Sequence, residues 1–156
     1  VTLDSEQNYV WASGSTEVLS DVVGVMGAWR DGIGLVGLGE AFPFMEFTRL
    51  ALAYEEGNQV AVQWGILVDG NSFPSYRDLL IALREDRKIG QAFPFFSHGT
   101  LRLSNDWEDP DAPEIWIRSV GDASFALWTL GNPEQRQEFA DLASLTRAVG
   151  SLLGDR

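Results

Sequence analysis

The last third of the chain alternates between apolar and polar positions, and the alternation predicts strands. Leu101 and Leu103 flank Arg102, Ile115 and Ile117 flank Trp116, and Phe125 and Leu127 flank Ala126, with Trp128 next in line. A period of two suits strands that bury one face. Gly121-Asp122-Ala123 supplies a tight turn between the second and third runs, so the three read as a three-stranded antiparallel meander. Asn132, Pro133 and Gln135 have the form of a capped helix start with Pro at its first position. Phe139, Leu142, Leu145, Val149 and Leu152 then give that final helix one apolar face.

Helical spacing dominates what comes before. Thr2-Leu3 and Tyr9-Val10-Trp11 favour β structure and predict a short N-terminal hairpin across polar residues 4–8. Val18, Val22, Val25, Met26 and Trp29 predict a helix, capped by Ser13 or Ser15, with Glu17 in its first turn and Asp31-Gly32 at its end. Gly24 and Gly27 within it imply a closely packed neighbour. Residues 34–42 predict a short irregular helix stopped before Pro43. Phe47, Leu50, Ala51 and Tyr54 predict another, ended at Gly57. Residues 58–68 satisfy both periods, and the helical segments on either side favour helix. Pro74 and Ser75 open a helix running through Leu79, Leu80, Leu83 and Arg87 to near Gly90.

The expected architecture is therefore α+β in a single domain, residues 1–156: an N-terminal β-hairpin, central helices, a C-terminal three-stranded antiparallel meander and a final helix. One internal echo, Leu38-Gly39-Glu40-Ala41-Phe42-Pro43-Phe44 against Ile89-Gly90-Gln91-Ala92-Phe93-Pro94-Phe95, reads as two similar helix ends docked on one sheet, each stopped by Pro and anchored by Phe.

Composition narrows the function classes. The chain has 156 residues, no cysteine, six Trp and nine Phe, and 23 acidic against 11 basic residues for a net charge of −12. That charge repels nucleic acid and attracts a basic peptide or protein, although solubility alone also accounts for it. The absence of cysteine removes disulfides, a thiolate nucleophile and sulfur-ligated metal, and fits a cytoplasmic location. The first residues lack the basic and apolar regions of a signal peptide. The apolar runs are too short to span a bilayer.

Four features invite a chemical reading. Gly32-Ile33-Gly34-Leu35-Val36-Gly37 matches a dinucleotide glycine pattern, but the segment before it is helical, so a helix–helix connection is the better reading. His98 is the sole histidine. It is the candidate for catalytic proton transfer, weighed against a histidine that merely fixes a helix-to-strand turn. Asp106-Trp107-Glu108-Asp109-Pro110-Asp111 clusters carboxylates around one aromatic but lacks the calcium-loop pattern, and reads best as a solvated hairpin loop. One His and no Cys do not supply the several nitrogen or sulfur ligands that a catalytic zinc site commonly uses. Carboxylates alone leave magnesium open.

The succession Phe42-Pro43-Phe44-Met45-Glu46-Phe47, Val62-Gln63-Trp64, Leu79-Leu80-Ile81-Ala82 and Phe93-Pro94-Phe95-Phe96-Ser97-His98-Gly99-Thr100-Leu101-Arg102-Leu103-Ser104 resembles a family of bacterial domains of unknown function labelled "natural product biosynthesis protein". The segment from Phe93 to Ser104 carries the resemblance most specifically, and residues 106–113 depart from it in being more acidic. The resemblance implies a small stand-alone protein of a biosynthetic pathway, acting on a ribosomally made peptide or a small intermediate. No reaction, cofactor or catalytic residue carries over from it.

These readings combine into an expected cofactor-free site between the meander and the central helices. Phe96, Trp107, Trp116, Asp106 and Glu108 would bind a peptide or small-molecule intermediate, and His98 would move a proton. The alternative is an acidic, non-catalytic interaction protein, an immunity factor or assembly partner, that meets a basic protein.

Overall fold

Two antiparallel sheets organise the chain, one in each of two compact units, Val1–Val62 and Gln63–Arg156. The computed structural model describes residues 1–4, 10–107, 109, 111–121 and 123–153. It is an α+β structure.

In the first unit, β1 (Thr2–Asp4) and β2 (Val10–Gly14) form the expected hairpin, with Leu3 opposite Ala12. Tyr9, part of that expectation, lies outside the described residues. A third strand, β3 (Met45–Phe47), adds to the other edge of β2 and sets Phe47 opposite Ala12. Phe47 was expected in a helix. That helix, α3 (Arg49–Glu56), starts after Thr48, whose Oγ1 accepts the Ala51 N–H at 3.0 Å, and it ends on left-handed Gly57.

Between β2 and β3 run α1 (Leu19–Arg30) and α2 (Leu35–Ala41). Ser13 belongs to β2 and caps nothing. Thr16 organises the entry to α1 instead: its Oγ1 accepts the Val18 N–H and donates to Asp21. A Cβ on Gly24 would sit 2.9 Å from the Phe42 ring, which is the close neighbour the glycine implied, whereas one on Gly27 would meet nothing within 4 Å. Ala12, Val25, Leu35, Leu38, Met45 and Ala51 make the core of this unit.

Residues 58–68 do form a helix, α4 (Gln59–Asp69), and the boundary between the units falls inside it. It buries Gln63, Trp64 and Gly65 in succession.

The second unit opens with a 3-10 turn at Pro74–Tyr76 and α5 (Arg77–Glu85), which buries Leu79, Leu80 and Leu83. A 3-10 turn at Ile89–Gln91 leads into a sheet of five strands in sequential order. They are β4 (Phe93–Ser97), β5 (Thr100–Ser104), β6 (Glu114–Gly121), β7 (Ser124–Thr129) and β8 (Asn132–Phe139). The three expected strands are β5 to β7, and the meander extends by one strand on each side.

Both extra strands contain proline, and this is why their sequences point elsewhere. Proline cannot donate to a ladder, but an edge strand leaves one set of N–H groups unpaired and tolerates it. Pro94 lies in edge strand β4 and Pro133 in edge strand β8. The final helix, α6 (Leu142–Leu152), therefore begins later than Asn132-Pro133 suggested, at Asp141, and buries Leu145 and Val149. The internal echo also divides. Its first copy ends α2 and precedes β3; its second ends a single 3-10 turn and becomes β4, in the other sheet.

Asp141 Oδ1 accepts the Ser144 N–H at 2.8 Å. The backbone hydrogen bond from Ser144 is the main cause that holds this carboxyl below its ordinary pKa. A depressed folded pKa adds stability above the unfolded value, about 4 for Asp, and that stability is lost as pH falls through the folded value. Asp141→Ala should thus lower Tm at neutral pH, and the gap to the parent protein should close in acid. A gap that stays constant down to about pH 2 would contradict the cap.

Candidate functional site

His98 does not lie at a helix-to-strand junction. The segment before it is β4, and His98 and Gly99 form the turn of the β4–β5 hairpin, with φ of 51° and 74°. Two central residues with positive φ define the type I′ turn that matches strand twist, and histidine tolerates that region better than most side chains. The ring is exposed, with Nδ1 3.0 Å from Ser97 Oγ. Tyr76 fastens the turn from beneath: its hydroxyl donates to the Gly99 carbonyl and accepts the Ser119 N–H, each at 2.8 Å. The turn role predicts that His98→Asn, which creates the favoured Asn-Gly pair, melts no lower than the parent. A loss beyond about 0.5 kcal/mol would contradict it.

The other candidate residues are spread over two faces and both ends of the sheet. Phe96 pairs with Leu101 and through it with Ile117, on the core face, and stacks on Phe73 at 3.6 Å. Trp116 is on the opposite face, in register with Arg102 and Phe95. Asp106 and Trp107 follow the far end of β5, about 13 Å along the strand from the His98 turn. There the Trp107 ring lies 5.2 Å from Phe93, and the Asp106 N–H donates to Ser104 Oγ. Glu108 lies outside the described residues.

Trp116 has companions that the sequence reading did not name. Phe95, Arg102, Trp116 and Trp128 line up across four strands. The Arg102 guanidinium lies 4.0 Å from the Trp116 ring centre and 5.6 Å from that of Phe95. Glu114 Oε2 accepts the Trp116 indole N–H at 2.9 Å and pairs with Arg102 at 3.6 Å. Cation–π contact and ion pairing thus join Arg102 to both aromatic neighbours and to Glu114, while its Nε is buried without a hydrogen-bond partner. Alternation already set these positions opposite the apolar ones; only the register shows that they meet.

A second feature is open. Across the β7–β8 pair, Leu127 faces Gln137 and Thr129 faces Asn132, so residues 133–136 stand opposite Trp128 alone. Such a bulge bends its strand. The cleft between β7, β8 and α6 has a volume of about 220 Å³, and its lining includes Trp128, Thr129, Gln135, Gln137, Ala148 and Ser151. Thr129 and Leu152 also line a neighbouring cavity of about 230 Å³, whose wall includes Asn105 and Asp106. Asn105 Nδ2 holds the Leu153 carbonyl at 3.1 Å, tying the end of β5 to the end of α6.

Electrostatically the first cavity is neutral, lined by amides, hydroxyls, alkyl groups and the Trp128 side chain, and the second adds one carboxylate, Asp106. Gln135, inside the bulge, and Gln137, beside it, both present carboxamides to the cleft. This lining offers hydrogen bonds and apolar contact, the means of binding a neutral polar chain. Among the described residues no group of three His, Asp or Glu is placed to hold a metal ion, and no helix is long and apolar enough to cross a membrane.

The glycine pattern at Gly32–Gly37 runs from the α1–α2 connection into the first turn of α2, and the protein fills its anion position itself: Glu55 Oε1 accepts the Leu35 N–H at 2.7 Å. Comparison with protein-family models, curated proteins and solved structures finds no match.

Proposed function

We propose that the protein binds a short, extended, uncharged peptide in the cleft between β8 and α6. The observation that carries this reading is the bulge opposite Trp128, which opens an amide-lined space beside an edge strand. Both glutamine carboxamides line the cleft and offer donors and acceptors to the backbone of an extended peptide. Asp106, in the adjoining cavity, offers an acceptor to the donor end of such a chain. The cleft exceeds the ~150 Å³ that suffices for a benzene-sized guest. On this reading the chain holds a peptide intermediate of a natural-product pathway, the role implied by the resemblance at Phe93–Ser104. His98 takes no part in holding it, since its turn joins edge strand β4 to β5 and the cleft adjoins edge strand β8.

The test is an NMR titration of the labelled protein with acetyl-Ala-Gln-Ala-methylamide. Saturable shifts at Thr129, Gln135, Gln137 and Ser151 in the millimolar range are expected, and Ala148→Trp should abolish them by filling the space. Shifts that never saturate, or that persist in Ala148→Trp, would sink the proposal.

A further inference from the structure

The helix α1 is apolar on two sides, and the fold covers one of them. Val25 is buried in the core of its unit, and Gly24 lies against Phe42. Leu19, Val23 and Met26, at i, i+4 and i+7, form a second stripe and are 77%, 62% and 60% exposed. Val18 and Trp29 flank it, both exposed as well. Single exposed apolar residues are ordinary on any protein. A row of them along about 10 Å of one helix is not, because a helix apolar on more than one side is expected to be covered.

Charge identifies the cover. The unit that carries α1, residues 1–62, has nine Asp and Glu and only two Arg. Glu17 and Asp31 bracket the helix, and Arg30, its one cation, is paired with Asp31 at 3.3 Å. The acidic excess attracts a partner that sets cations around an apolar stripe. It opposes a second copy of the chain, which would bring like charge to like. It opposes an anionic bilayer for the same reason.

We infer that the Leu19–Val23–Met26 face of α1 docks a basic amphipathic helix of another protein. The helix lays its apolar side along α1 in the helix-to-helix manner, and its Lys and Arg reach the surrounding carboxylates. This surface belongs to the first unit and is independent of the β8–α6 cleft.

The probe is a fluorescent Leu/Lys peptide of helical period, about eighteen residues long so that it can hold a helix, titrated with the full chain and followed by anisotropy. Saturable binding is expected, weakened about tenfold or more by V23D/M26D and clearly by E17K/D31K, and reduced by salt. The variants lie on the surface and should keep the parent's circular dichroism and Tm. Failure of the Leu/Lys peptide to bind, equal binding of a Leu/Glu peptide, or binding unaffected by V23D/M26D would each overturn the inference. So would a concentration-dependent dimer abolished by V23D/M26D, which gives the face to a second copy. Sedimentation with phosphatidylserine vesicles lost in the same variant would give it to a membrane.

Discussion

Trp64→Ala is expected to destabilise the Gln63–Arg156 unit by about 3–5 kcal/mol. The indole is 1% exposed, among the largest fully buried side chains, and its Nε1–H donates to the Ala92 carbonyl at 3.0 Å. Truncation removes that apolar surface, leaves a cavity and strips a buried carbonyl of its donor. Ala92 is itself buried and adjoins the first residue of β4, so the lost bond loosens the start of an edge strand. Trp64→Phe retains most of the packing and should cost roughly half as much, the remainder being the orphaned carbonyl. Urea unfolding followed by circular dichroism measures both. A cost below about 1 kcal/mol for the alanine variant would mean that the site collapses freely or that the indole is not buried.

Tyr76→Phe has the next largest expected effect, about 1–3 kcal/mol from a single oxygen atom. Tyr76 is 5% exposed, and its ring packs edge-on against Phe96 at 4.9 Å and near Phe125 at 5.5 Å, contacts that phenylalanine keeps. Its hydroxyl is the sole difference. It bridges the Gly99 carbonyl in the His98-Gly99 turn and the Ser119 N–H near the end of β6. Removing it leaves a donor and an acceptor without this partner and frees the turn from the sheet. Hydrogen exchange should therefore accelerate at Ser119 by more than in the middle of β6. Uniform acceleration along the strand would show that the hydroxyl acts on global stability alone.

Several elements were legible because local and tertiary demands agreed. The Leu101/Leu103, Ile115/Ile117 and Phe125/Leu127 pairs face the core as their alternation required, and all six are buried. Gly57 ends α3 with positive φ, the conformation for which glycine is chosen. Phe93–Ser97 and Asn132–Phe139 are ambiguous locally because Phe-Pro-Phe and Asn-Pro are each compatible with a helix boundary and with an edge strand. Which applies depends on whether a neighbouring strand supplies hydrogen bonds, and those neighbours are β5 and β7. The candidate site was harder still. Trp116 was singled out as an aromatic, yet its partners Arg102 and Glu114 follow from register, and the cleft follows from a bulge in a segment whose local signals favoured helix.

The sequence by itself determined the α+β character, the positions of most helices and the buried side of the central strands. Those properties come from periodicity and capping, which act over a few residues. The tertiary structure alone decided the number of strands, the turn that His98 occupies, the meeting of Arg102 with its aromatic neighbours and the opening of the cleft beside β8. Each of these depends on hydrogen bonds and packing between segments far apart in the chain, where one local pattern serves more than one structure and the pairing partner selects between them.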